Sequence, residues 1–295
     1  MNAVEIKGLT KFYGSAVGIE NLNLDIKVGE VVGFLGPNGA GKSTTIRTLL
    51  GLIKATSGSA YFLGRDALSN DPDLRKEIGY LPGSPTYYSQ YKAIDFLRMF
   101  ADIRKTDCTN SISEYASRLS LDLNKKISDL SKGNRQKVGV IQAFMHQPNI
   151  ILLDEPTSGL DPLVQIEFEK ILVEAKSRGA AILLSSHVMS EVEHLADRVA
   201  IINNGKLVIF EDISVLRQQT IRKIDLHFPT PPSDVKFVNL ESVTKTEVHG
   251  NRITCTVIGS ERELLKVAVE LGVDSVRTHE TSLEDIFLSE IGAQL

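Results

Sequence analysis

Gly36-Pro37-Asn38-Gly39-Ala40-Gly41-Lys42-Ser43-Thr44 is the stretch on which the reading of this chain turns. The apolar run Val31-Val32-Gly33-Phe34-Leu35 precedes it. Ile46, Leu49, Leu50 and Ile53 follow at helical spacing, so it lies between a buried strand and an amphipathic helix. In that setting the pattern GxxxxGK[ST] is a P-loop. Gly36, Gly39 and Gly41 let the backbone bend and bring its amides close to phosphate oxygens. Lys42 adds a positive charge near the β- and γ-phosphates, Ser43 offers a hydroxyl to Mg²⁺, and the new helix turns its positive end to the anion. A ligand-free glycine turn would account for the glycines but not for a Lys-Ser pair between a strand and a helix. The stretch therefore implies a nucleotide site.

Upstream, Val4 and Ile6 alternate with polar residues, as do Leu22, Leu24 and Ile26 before the turn Val28-Gly29-Glu30. Residues 2–28 thus read as short strands of an antiparallel sheet beside the P-loop strand. Tyr13 precedes Gly14 between these strands. On its own it reads as strand-end packing; beside a P-loop its ring suits stacking on a purine base.

Downstream, Ser59 to Leu63 reads as a strand, Asp71-Pro72 opens a short helix, and Ile78-Gly79-Tyr80-Leu81 is a further apolar strand. Pro82-Gly83-Ser84-Pro85 breaks structure. Residues 90–123 turn to helical periodicity, with Ile94, Leu97, Met99 and Ala101 and then Ile112, Tyr115, Ala116 and Leu119. This predicts a helical insert over about residues 84–148. Tyr87, Tyr88 and Tyr91 open it, and a socket for a partner helix and packing within the insert explain them equally well. Ser131-Lys132-Gly133-Asn134 starts a helix, either as a plain N-cap at Ser131 or as a second anion site.

The run Asn149-Ile150-Ile151-Leu152-Leu153-Asp154-Glu155-Pro156 is apolar on both faces, as in a central parallel strand, and ends in two carboxylates at the edge where open α/β sheets bind ligands. Asp154 is suited to Mg²⁺ and Glu155 to polarising an attacking water. Asp161-Pro162 leads into a helix over residues 163–177. Ala180 to Ser185 is another buried strand, ending at Ser186-His187. A lone histidine is most often structural; its place at a strand end converging on the P-loop favours a γ-phosphate contact.

After Leu216 the pattern changes to alternating strands, a turn at His249-Gly250-Asn251, an amphipathic helix through Leu264, Leu265, Ala268 and Leu271, a strand at Val273 to Val276 and a last helical turn around Leu283, Ile286 and Phe287. This predicts a nucleotide-binding domain over residues 1–216 and a small α+β domain over 217–295. No catalytic constellation is found in the latter, which reads as an appended folding or oligomerisation unit.

The 295 residues carry a net charge of -4, a sequence pI near 5.9 and two cysteines far apart, Cys108 and Cys255. Without a basic tract, nucleic acid is not expected as a partner. The cysteines suggest a reducing compartment, without a disulfide framework or zinc site. The N-terminus lacks a secretory apolar region, and no run approaches the roughly 20 residues of a spanning helix. A cytoplasmic chain that meets a membrane only through a partner is expected.

Taken in order, these motifs resemble the nucleotide-binding subunit of an ABC transporter over residues 1 to about 216. The resemblance implies an α/β fold: a P-loop NTPase core with an antiparallel β subdomain and a helical insert, here followed by the small C-terminal α+β domain. It implies ATP and Mg²⁺ as cofactors and a second nucleotide-binding subunit that completes each site, a homodimer being expected and a heterodimer left open by the sequence. By position, Tyr13 is similar to the aromatic A-loop residue, and Gly36, Pro37, Asn38, Gly39, Ala40, Gly41, Lys42, Ser43 and Thr44 to the Walker A loop. Asp154 and Glu155 match Walker B, with Ser43 and Asp154 on the metal and Glu155 and His187 catalytic. Asp161 matches the D-loop and His187 the H-loop. Ser131, Gly133 and Asn134 match the LSGGQ signature, here LSKGN, that acts across the dimer. The tail from Ser282 to Phe287 is similar to that of exporter-type subunits, which pair with separate polytopic membrane chains at the inner face of the cell membrane.

Two departures stand out. Lys132 and Asn134 replace Gly and Gln in the signature, and Gly83 stands where the family usually carries the Q-loop glutamine, so that coupling would rely on backbone or water. A soluble ABC-type ATPase acting on ribosomes or DNA is the alternative; the single nucleotide domain, mild acidity and lack of a coiled-coil insert weigh against it. A GTPase switch is disfavoured because no NKxD-like run is present.

Overall fold

Strands β3 (Val31–Leu35), β7 (Ile150–Asp154) and β8 (Ala181–Ser186) are buried at every residue in the computed structural model. The structure describes residues 1–69, 71–218, 221–230, 237, 240–258 and 260–280. Burial on both faces is the condition of a central parallel strand, and it explains why these segments read as continuous apolar runs. Alternation sorts them between two cores. Ile151 and Leu153 join one cluster with the helices of the insert, whereas Ile150 and Leu152 join another with Ile46, Leu49 and the N-terminal strands.

The chain packs as two units, Met1–Glu211 and Asp212–Leu295. In the first, β9 (Arg198–Asn203), β3, β8, β7 and β6 (Ile78–Leu81) form parallel pairs in that order, with β10 (Lys206–Asp212) at the edge. A second sheet of order β2-β1-β4-β5 is antiparallel and comprises β1 (Asn2–Tyr13), β2 (Ala16–Lys27), β4 (Ser57–Phe62) and β5 (Arg65–Asp66). Where short strands were expected, β1 and β2 are each 12 residues long. Their pairing shifts register repeatedly between Asn2 and Phe12, and each shift resets which residues face inward. That breaks the alternation a sequence reading counts on. Arg198 ties the two sheets together, donating to Glu30 Oε1 at 2.6 Å and to Asp25 Oδ2 at 3.1 Å.

Helix α1 (Lys42–Leu49) follows β3 and stops short of Ile53, and α2 (Pro72–Lys76) is capped by Asp71, which accepts from Asp73 N and Leu74 N. Between β6 and β7 stand α3 (Ala93–Arg104), α4 (Thr109–Arg118) and α5 (Lys132–Phe144). Helices α6 (Pro162–Ser177) and α7 (Met189–Leu195) flank β8 in the chain.

The second unit opens with α8 (Ile213–Gln218). Its antiparallel sheet has the order β12-β13-β11-β14, from β11 (Ile221–His227), β12 (Val243–His249), β13 (Arg252–Ile258) and β14 (Ser275–Glu280). Gly250, at φ 61°, turns β12 into β13 as the sequence suggests. Ile224, Leu226, Ile253, Cys255 and Val257 face Leu264 and Ala268 of α9 (Arg262–Glu270) in a core of their own. The helical turn expected around Leu283 to Phe287 lies outside the described residues.

Candidate active site

The register of the central sheet brings three loops to one edge. β8 pairs with β3 as Leu35↔Ser186 and with β7 as Asp154↔Ser185. The residues that follow those strand ends are Gly36, His187 and Glu155, at the carboxyl edge where open α/β sheets hold ligands.

At Gly41 the chain takes φ 113°, which only glycine adopts without strain, and a side chain there would meet Gly18 O at 2.6 Å. Ala40 is buried, and Pro37, Asn38 and Gly39 are exposed at the tip. Lys42 is 5% exposed, and its ammonium donates to Gly36 O at 2.6 Å and Pro37 O at 3.2 Å. Burial lowers its pKa, against the opposing pull of Glu155 and Asp154. Ser43 and Thr44 lie in the first turn of α1, half-buried.

Asp154 is 3% exposed, and its Oδ1 accepts from Ser185 Oγ at 2.7 Å. Glu155 takes a left-handed backbone, φ 51°, a conformation that costs a non-glycine residue about 1–3 kcal/mol and clusters at functional sites. Its amide donates to Ser185 O at 3.1 Å, and Gln136 Nε2 donates to the next carbonyl, Pro156 O, at 2.9 Å. The Glu155 carboxylate meets His187 Nδ1 at 2.6 Å through Oε2, and Lys42 Nζ lies 3.8 Å from its Oε1. Lys42, Glu155 and His187, which come from three segments of the chain, thus form one contiguous group.

Tyr13 ends β1 with 48% of its surface exposed, and Lys11 Nζ lies 5.1 Å from its ring centroid. A side chain at Gly18 would meet the Tyr13 ring at 2.9 Å and Thr44 Cγ2 at 3.1 Å, which places the ring beside the P-loop helix.

Ser131 is the N-cap of α5, its Oγ accepting from Asn134 N at 3.2 Å, so the plain capping role is present. Gly133 packs against the loop before α6, because a β-carbon there would fall 2.5 Å from Gly159 O. Asp161 caps α6, accepting from Val164 N at 3.0 Å. At Gly83 a β-carbon would sit 3.3 Å from Asp154 O and 3.4 Å from its Oδ2, so main chain alone lies against Asp154. The three tyrosines divide. Tyr87 packs edge-on to Phe96 and donates to Arg135 O at 2.6 Å, whereas Tyr88 and Tyr91 pair at 6.0 Å with 57% and 39% of their surface exposed.

Gln136 and Ser185 take part in this network without having stood out in the sequence. Gln136 carried a usable signal, being a polar residue on the face of α5 that otherwise presents apolar side chains inward; it is 4% exposed.

A P-loop closed between a parallel strand and a helix, with a carboxylate pair at the end of the strand two places away in the sheet, defines a P-loop nucleoside triphosphatase. Comparison with known proteins narrows the class. A family model described as ABC transporter matches residues 19–158. The bacitracin transport ATP-binding protein BcrA of Bacillus licheniformis is 36% identical over 98% of this chain and 97% of its own. The lantibiotic transport ATP-binding protein SrtF of Streptococcus pyogenes is 36% identical over 70% of this chain and 89% of its own. A solved ATP-binding subunit of an ABC transporter matches with a TM-score of 0.69 at 29% identity, covering 74% of this chain and 92% of that one. A dimeric cassette in a post-hydrolysis state, bound to ADP and Pi, matches with a TM-score of 0.63 at 25% identity, covering 71% and 98%. The chain belongs to the ATP-binding subunits of ABC transporters, and it binds and hydrolyses ATP. No helix among the described residues is long and apolar enough to cross a membrane.

Proposed function

We propose that the chain powers export through a separate polytopic membrane subunit, from a cytoplasmic position against the membrane's inner face. ATP held by the P-loop of one copy is closed over by Ser131, Gly133 and Asn134 of a second, identical copy. The observation that carries this reading is the grouping of Lys42, Glu155 and His187 at the sheet edge. Lys42 and the loop amides stabilise charge on the transferring phosphoryl group, Glu155 orients and deprotonates the attacking water, and His187 holds the γ-phosphate. Tyr13 stacks on the base, and Asp161 acts from the loop that Gly133 touches. Export is supported by relatives named for bacitracin and lantibiotic transport.

The oxygen donors at Ser43 and Asp154 fit Mg²⁺, a hard cation that takes one or two protein oxygens and shares substrate phosphates. No cluster of three or more His, Cys, Asp or Glu suited to a metal occurs among the described residues, so phosphate oxygens would complete its shell. Mg²⁺ would supply charge neutralisation at the β- and γ-oxygens. The bare main chain of Gly83 against Asp154 supports coupling through backbone rather than through a glutamine side chain. Residues 1–216 form the nucleotide domain in this reading, and residues 217–295 are an accessory folding or oligomerisation unit.

An affinity-tagged chain drawn from its own cells in mild detergent tests the reading. Recovery with a polytopic membrane protein that raises its ATPase rate is expected. Co-sedimentation with ribosomes, and no membrane partner, would overturn it.

A further inference from the structure

Glu191 lies in the first turn of α7, four residues past His187, and in the sequence it looks like an ordinary surface acid. In the structure its two carboxylate oxygens serve two different loops. Oε1 accepts from the Thr157 hydroxyl at 2.7 Å, and Oε2 from the Ser186 hydroxyl at 2.8 Å. Ser186 Oγ in turn accepts from Val188 N at 2.9 Å. Both hydroxyl residues are buried, Thr157 at 8% exposure and Ser186 at 0%. Thr157 stands two residues beyond Glu155, and Ser186 immediately precedes His187.

An ionised carboxylate only accepts hydrogen bonds, so it dictates the direction of both hydroxyls. Each must donate to Glu191, which leaves a Ser186 lone pair for the Val188 amide. The bonds run from Thr157 through Glu191 and Ser186 to Val188, joining the segment that carries Glu155 to the one that carries His187. The main chain links these segments last through Glu155 N, which donates to Ser185 O at 3.1 Å just past the final register pair Asp154↔Ser185, and the Glu191 bonds add a second tie beyond that point.

We propose that Glu191 is a positioning residue for ATP hydrolysis, clamping Thr157 to Ser186 so that Glu155 and His187 keep a fixed separation. The inference rests on the roles given above to Glu155 and His187. Its force comes from geometry: a misplacement of about 1 Å in a catalytic group costs on the order of 10²-fold in rate. Glu191→Met keeps the length of the side chain but neither accepts nor donates a conventional hydrogen bond to the two hydroxyls, so both loops are released. A glutamine could reverse one bond by donating its amide to a hydroxyl and would leave the clamp closed. Thr157→Val removes one arm at nearly constant volume and keeps the test available should the Glu191 variant fold poorly.

Steady-state hydrolysis of Mg-ATP by the full chain decides the matter, measured on the wild type, Glu191→Met, Thr157→Val, their combination and Glu155→Gln. Each single clamp variant should lower kcat by about 10- to 100-fold while KM for ATP stays within about twofold. The combination should be no more than about threefold below Glu191→Met alone, since both break the same link. Full kcat in the clamp variants, or a loss confined to KM, overturns the clamp if Glu155→Gln is inactive. Retained turnover in Glu155→Gln instead overturns the role of Glu155 and, with it, the purpose of the clamp.

Discussion

The ammonium of Lys42 lies 3.8 Å from Glu155 Oε1 while donating to the carbonyls of Gly36 and Pro37. The P-loop cation is therefore already directed at the carboxylate of a strand two places away in the sheet. In the proposed mechanism nucleotide phosphates replace the two carbonyls with stronger, charged partners. Hydrogen bonds to charged groups contribute about 1.5–3 kcal/mol each. Lys42→Met should accordingly weaken ATP binding by about 10- to 100-fold in a calorimetric titration. Binding within twofold of wild type would separate Lys42 from the phosphates.

Gly133→Ala sets two effects of similar size against each other. Alanine inside a helix is favoured over glycine by up to about 1 kcal/mol. Here, however, its β-carbon would fall 2.5 Å from Gly159 O, a backbone atom that cannot swing aside. Overpacking of this kind costs about 1–3 kcal/mol. The loop leading to Asp161 should shift, with a lower melting temperature and a turnover reduced by about tenfold or more. A more stable variant with full turnover would show that Gly133 is not pressed against this loop.

His146 makes acid stability measurable. Its Nε2 lies 3.3 Å from Ile78 O, its Nδ1 has no hydrogen-bond partner among the described residues, and burial, aided by the charge of Arg104, pushes its pKa down to about 4. The unfolded chain takes up this proton near pH 6.5, whereas the folded chain resists it until about pH 4. The unfolded state thus binds more protons in that window, and stability falls as pH drops from 6.5 towards 4, by roughly 1–3 kcal/mol. His146→Gln should flatten the fall of melting temperature across that window. An unchanged slope would assign the acid sensitivity to other groups.

Much of the fold was legible because its signals are local. Val31 to Leu35 and Ile150 to Asp154 are short apolar runs bounded by glycine or acids, which is how a strand buried on both faces must look. The P-loop and the carboxylate pair carry their chemistry in adjacent residues, so their place at a sheet edge followed from the strands beside them. What stayed hidden depends on distant partners. The left-handed backbone of Glu155 needs Ser185 and Gln136 around it, and Glu191 is distinguished from any helix-surface acid only by Thr157 and Ser186. Tyr87 and Tyr88 are neighbours with opposite fates, one packed on Phe96 and the other exposed, and periodicity over a broken stretch could not tell them apart. The register shifts of β1 hid its length in the same way.

The Glu155→Gln variant tests the proposed mechanism most directly, by single-turnover hydrolysis of Mg-ATP alongside size measurement in solution. If Glu155 is the general base, turnover should fall by about 10²–10⁴-fold, on the order of 3–5 kcal/mol of barrier, with ATP binding retained and a stable ATP-bound dimer accumulating. Near wild-type turnover with no such dimer would contradict it.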